Sequence, residues 1–142
     1  YDVSATVLKD LVKPYVVFER DGVKIGVLGL GCQLEGMVQA NKCVGVVYND
    51  PVTVANEVAA VLKEKEGWGV GGCLSHLGVQ YDENQLIPKT RNIDVVLGGH
   101  SHTFMKGPKT LLNMDGKNVS LMHTGKSGIY VGQMDLTLEK KK

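Results

Sequence analysis

Apolar residues come in short runs along this chain, and the breaks between runs are sharp. Tyr15-Val16-Val17-Phe18 is β-branched and aromatic, which predicts a strand. Arg20-Asp21-Gly22 predicts a tight turn, because Asp-Gly between apolar runs is a strong hairpin signal. Val23 to Leu30 then supplies a second arm, apolar enough to lie centrally in a sheet. Residues 31–49 show little periodicity and read as loop. Asn49-Asp50-Pro51 predicts a helix start, with Asp50 as the cap and Pro51 at the first helical position. Val54, Val58, Val61 and Leu62 recur on one helical face. The polar Lys63-Glu64-Lys65-Glu66 follows, and Gly67 ends the helix. A strand over about 69–75, a polar helix over about 82–91 that Pro88 interrupts or shortens, and a strand over about 93–98 come next. Leu111 to Met114 and Val119 to His123 flank Asp115-Gly116 as a second hairpin. Residues 129–139 alternate through Ile129, Val131, Met134, Leu136 and Leu138, with a slip near Gly132 that predicts a bulged strand. Residues 1–12 fit a helix face or a strand and loop equally well, and Pro14 stops either. The order predicts a mixed α/β fold: a hairpin, a βαβαβ unit, then an antiparallel meander.

Composition narrows the class of protein. The 142 residues suit one domain, and 43% hydrophobic with 22% charged residues is ordinary for a globular chain. A net charge of +1 offers no electrostatic case for a nucleic-acid or membrane partner. Lys140, Lys141 and Lys142 read as a short basic tail rather than a binding patch. No apolar run approaches the roughly 18 residues of a membrane span. Eighteen glycines, against a usual share of about 7%, indicate many tight connections. Cys32, Cys43 and Cys73 are odd in number and lack CxxC spacing, so neither a zinc ribbon nor a disulfide framework is supported. Cys73 sits in an apolar run and reads as a buried thiol; Cys32 and Cys43 would pair only in an oxidising compartment. Gly26, Gly29 and Gly31 form GxxGxG rather than GxGxxG, with no helix directly after, so a dinucleotide loop is the weaker reading of them.

The candidate chemistry lies in the histidines. Ile93-Asp94-Val95-Val96-Leu97 runs into Gly98-Gly99-His100-Ser101-His102-Thr103, and Val70-Gly71-Gly72-Cys73-Leu74 runs into Ser75-His76-Leu77-Gly78. Imidazoles at the ends of rigid strands are held in place and can be aimed at a metal. Adjacent strands with this design would bring His76, His100 and His102 together. His123 precedes Thr124-Gly125-Lys126-Ser127-Gly128, a glycine-rich turn that reads as a loop shaping the rim. Asp82 and Glu83 read as helix-start acids on a solvated surface. No Asp-x-His occurs in the chain, and no Gly-Asp or Gly-Asn-His lies upstream of His76, so the carboxylates of a two-metal site are not supplied by such motifs.

These stretches, with His123-Thr124-Gly125-Lys126-Ser127-Gly128-Ile129-Tyr130-Val131-Gly132, resemble the 5′-nucleotidase and UDP-sugar hydrolase branch of the calcineurin-like metallophosphoesterases. Lys13-Pro14-Tyr15 through Leu30 is similar to the hairpin of that branch, so the resemblance covers nearly the whole chain. It implies a four-layer αββα sandwich holding two divalent metals, which would be Zn, Mn, Fe or Mg. His76 and His100 would bind one metal and His102 the other. It implies hydrolysis of 5′-nucleotides or related phosphate esters, with no catalytic acid assigned among these histidines. The family's remaining ligands come from first-half motifs, so residues 1–142 are expected to be the C-terminal portion of the catalytic domain. The expected partners are the substrate, the N-terminal half of the domain and a C-terminal nucleotide-recognition domain. The chain alone is expected to be inactive, with sheet edges and apolar faces left open. Relatives of this kind are commonly exported to the periplasm or cell surface. The competing readings are a non-catalytic α/β domain with a structural metal, and a nucleotide-binding module using Gly26 to Gly31.

Overall fold

The computed structural model describes residues 1–139, and the basic end at 140–142 lies outside the described residues. A six-stranded sheet organises them, in the order β1-β2-β3-β4-β6-β5. Strands β1 (Tyr15–Arg20) and β2 (Val23–Gly31) form the predicted antiparallel hairpin. Strands β3 (Val70–His76), β4 (Val95–Gly98) and β6 (Asn118–His123) extend β2 in parallel, and β5 (Lys109–Leu112) closes the edge antiparallel to β6. The sheet is thus parallel at its centre and antiparallel at both edges. Parallel neighbours need crossovers, and the helical segments supply the first two.

Helix α1 (Pro51–Val61) begins as its sequence requires. The Asp50 carboxylate accepts from the Thr53 backbone N–H at 2.8 Å, and Pro51 occupies the first turn. The helix continues through a wider π turn, Leu62–Glu66, and stops where Gly67 takes a left-handed φ of 64°. Its period is as expected but its face is turned: Ala55, Ala59 and Leu62 are fully buried, with Val54 and Val58 flanking them. Small residues at the centre of the contact let the helix backbone approach the sheet closely.

The second helical segment starts earlier than the sequence pattern predicts. Gly78, with φ 93°, breaks the chain, and α2 (Val79–Tyr81) runs on through a π turn (Asp82–Leu86) into a 3₁₀ turn (Ile87–Lys89) that contains Pro88. The earlier start turns Asp82 inward. It is fully buried, and the expectation of a solvated acid is wrong for it.

Strand register separates the two faces of the sheet. Leu28, Leu30, Cys73, Val96, Val119 and Leu121 face the helices and join Trp68, Leu86, Ile87 and Ile93 in one core. The opposite face carries Val16, Phe18, Leu74 and Leu97, each more than 40% exposed. It is apolar and only partly covered among the described residues. Residues 129–139 make no strand, contrary to their alternation. Gly132, Met134 and Leu136 instead line a groove of about 340 Å³ over this face with Ile25, Val70, Leu97 and Met122. Alternation reports an extended backbone with two unlike sides; it does not supply a hydrogen-bonding partner, and β5 already occupies the nearby edge.

Residues 1–12 are turns, tied to the body by a bridge between Asp2 and Val47. Gly26, Gly29 and Gly31 all lie within β2, in register with β3, so they form no phosphate-cradling loop. Cys32 and Cys43 are free thiols rather than a disulfide, and Cys73 is buried as expected. Among the described residues no helix is long and apolar enough to cross a membrane.

Candidate metal centre

Three parallel strands end side by side, and their ends carry the donors. Gly31 of β2 pairs with His76 of β3, and Ser75 of β3 pairs with Gly98 of β4. Ligands of open α/β sheets gather at such carboxyl ends. His76 and His100 lie with ring centroids 5.1 Å apart, in an edge-to-face arrangement. Cys32, His76 and His100 each offer a donor atom, and the three atoms lie within 4.8 Å of one another. His102 is exposed and stands outside this group.

Both glycines of the Gly98-Gly99 pair have a packing reason. A Cβ on Gly98 would sit 2.0 Å from His123 Nε2 and 2.6 Å from an Asp82 carboxylate oxygen. A Cβ on Gly99 would lie 3.1 Å from His76 Nδ1. One glycine clears a buried histidine on the helix side, and the other clears the candidate ligand on the opposite side. Gly98→Ala is expected to destabilise the fold by about 1–3 kcal/mol through overpacking, read by urea denaturation.

The loop after Gly99 is held under backbone strain. His100 and His102 both take left-handed φ values, 76° and 55°, which cost energy for residues with a Cβ. The surroundings hold them there. The Gly99 N–H donates to the Ser75 carbonyl at 2.8 Å, and the Val79 N–H donates to Ser101 Oγ at 3.1 Å. Ser101 Oγ also lies 2.9 Å from Thr103 Oγ1, and the Gly125 N–H donates to the Thr103 carbonyl at 2.9 Å. The loop is thereby stitched both to the start of α2 and to the end of β6.

Behind the histidines lies a buried polar network absent from the sequence reading. Ser75 Oγ donates to Asp82 Oδ1 at 2.5 Å, and His123 Nε2 lies 2.9 Å from Asp82 Oδ2. The expectation that His123 shapes a rim is corrected: it is 1% exposed and sits in the core. Its Nδ1 has no hydrogen-bond partner. A neutral ring donating from Nε2 leaves only an acceptor unpaired, whereas an imidazolium would bury an unpaired N–H. A neutral ring is therefore the better partner for the Asp82 carboxyl. Burial pushes the Asp82 carboxyl above its usual range, and the bonds from Ser75 and His123 pull against that rise. Burial, helped by the nearby Asp82 carboxyl, raises the Cys73 thiol far above its usual value, so it is no nucleophile.

A mixed sheet with helices on one face thus carries histidines at its parallel strand ends and a strained Gly-Gly-His-Ser-His loop. Comparisons with known proteins show where this α/β fold recurs. A 5′-nucleotidase precursor from Thermus thermophilus superposes with a TM-score of 0.77 at 28% identity, over 86% of this chain and 26% of that one. The NAD nucleotidase of Haemophilus influenzae superposes with a TM-score of 0.68 at 26% identity, over 84% and 26%. The trifunctional nucleotide phosphoesterase protein YfkN of Bacillus subtilis is 25% identical over 92% of this chain and 9% of its own length. A 5′-nucleotidase of Vibrio cholerae is 30% identical over 70% of this chain and 21% of its own. No family model matches the chain. The chain is thus similar to proteins of the 5′-nucleotidase kind, and it spans about a quarter or less of each of these relatives.

Proposed function

We propose that this chain supplies the His76 and His100 side of a divalent-metal centre in a hydrolase of 5′-nucleotides or related phosphate esters. The observation that carries the reading is the convergence of those two rings at the ends of adjacent parallel strands. Two imidazoles with further donors nearby are a fitting donor set for Zn, Mn or Fe. A divalent ion in such a site supplies Lewis acidity, making water nucleophilic near neutral pH and neutralising phosphoryl charge. The chain's own residues hold and orient. Ser75 and Gly99 tie the two ligand-bearing strand ends together, and the Ser101 bonds fix the loop beyond His100. In this reading His102 serves a second ion, as family resemblance implies.

The chain is read as the C-terminal portion of the catalytic domain, with the carboxylate ligands elsewhere in the parent protein. A nucleotide-recognition domain and the other half of the sandwich are its expected partners. The partly covered apolar sheet face, with Leu74 and Leu97, supports this, because the second sheet of an αββα sandwich packs on such a face. Export to the periplasm or cell surface is proposed from the same resemblance.

The test is metal content of the purified chain by elemental analysis. His76→Ala and His100→Ala are each expected to lose the bound divalent ion that the wild type retains. Full metal content in both variants overturns the assignment. The chain alone is expected to hydrolyse 5′-AMP no faster than its His76→Ala variant.

A further inference from the structure

We propose that Cys32 is a third protein ligand in this centre, making it a Cys-His-His site that prefers thiophilic ions such as Zn²⁺ over Mg²⁺ or Mn²⁺. The inference rests on the reading of His76 and His100 as ligands. It extends that reading to a residue type whose chemistry changes the choice of metal.

The register places the thiol where it must be. Gly31 is the last residue of β2 and pairs with His76, so Cys32 is the first residue past the sheet on the neighbouring strand. The carbonyl of Cys32 receives the hydroxyl of Tyr1, which anchors the backbone at this point. The sulfur lies within 4.8 Å of the nearest His76 and His100 nitrogens. Zn–S bonds of about 2.3 Å and Zn–N bonds of about 2.0–2.1 Å imply donor separations of roughly 3.5 Å in a tetrahedron. Small side-chain rotations close the difference. The sulfur of Met37 lies 3.7 Å from Cys32 Sγ, so the approach to the thiol from the loop side is also soft and apolar. Thiolate and imidazole together favour Zn²⁺, Co²⁺ or copper, whereas Mg²⁺ and Mn²⁺ prefer oxygen donors.

Co²⁺ alone is the probe. Added to the purified metal-free chain, it is expected to produce visible d–d bands together with a near-ultraviolet thiolate-to-cobalt charge-transfer band. In Cys32→Ser the charge-transfer band is expected to vanish while Co²⁺ still binds. Zn²⁺ affinity in that variant is expected to fall about tenfold or more, the scale at which even outer-shell losses act. Saturating Zn²⁺ is expected to shield Cys32 from iodoacetamide in the wild type while Cys43, read in the same mass spectrum, still reacts. Co²⁺ binding without a charge-transfer band, or a band that survives Cys32→Ser, overturns the thiolate ligand and leaves the histidine pair standing. Failure of Co²⁺ and Zn²⁺ to bind the wild type at all overturns both readings.

Discussion

Asp82→Ala is expected to lower folding stability by about 2–6 kcal/mol, the combined cost of leaving two buried hydrogen-bond donors without a partner. The reason is local. Asp82 is fully buried and accepts from Ser75 Oγ at 2.5 Å and from the His123 ring at 2.9 Å. Removing it leaves two buried donors unpaired, each a penalty of about 1–3 kcal/mol. The network joins β3, the second helical segment and β6, so its loss loosens three elements together. Urea unfolding followed by tryptophan fluorescence reads the change. A loss under about 1 kcal/mol would mean that the buried pair contributes little to holding these elements.

The same carboxyl has a pH signature with a definite sign. Burial raises its folded-state pKa, so the folded chain holds the proton more tightly than the unfolded chain does. Its stabilising contribution is complete below the ordinary carboxylate value near 3.9 and is lost as pH rises through the raised folded value. The stability difference between the wild type and Asp82→Asn should therefore shrink as pH rises across that window. A difference that grows with pH would contradict the direction of the shift.

Trp68→Ala is expected to cost a comparable 3–5 kcal/mol, the usual range for deleting a large buried aromatic. Trp68 is 3% exposed and lies across β2 and β3 where both strands carry glycine. A Cβ on Gly26 would fall 2.0 Å from its ring, and one on Gly71 would fall 2.5 Å from it. The indole thus occupies space that two missing side chains leave open, and no neighbour can refill it. Circular dichroism in urea is the suitable measurement, since the variant has no tryptophan. Loss of less than about 1.5 kcal/mol would show that the site collapses around the gap.

What the sequence made legible follows from how local each signal was. The helix at Asp50 and Pro51, its stop at Gly67, and the two hairpins rest on contacts between near neighbours, and each appears as its residues predict, except that the first arm of the second hairpin, expected over 111–114, is Lys109–Leu112. His76 and His100 stood out because histidine directly after an apolar strand and its glycines is unusual. Asp82 and His123 were misread because their role depends on where α2 starts. Gly78 moves that start to Val79, and the resulting rotation exchanges solvent for core. Cys32 was missed for a different reason. It follows an apolar strand just as His76 and His100 do, and that likeness was available, but only the parallel register of β2 on β3 shows that the three residues share one end of the sheet. The tail from Ile129 to Leu138 shows the converse limit, since a pattern of alternation cannot name what an extended segment lies against.

The parallel centre of the sheet also governs when the donor group comes into being. Hairpins β1–β2 and β5–β6 close locally, but the pairings of β2 with β3 and of β3 with β4 join distant parts of the chain, and contacts of high sequence separation are slow to form. His76 ends β3, and Cys32 and His100 lie just past the ends of β2 and β4. An ion that needs all three therefore finds these donors together only in the completed fold, and its binding energy adds to the stability of the native chain by mass action.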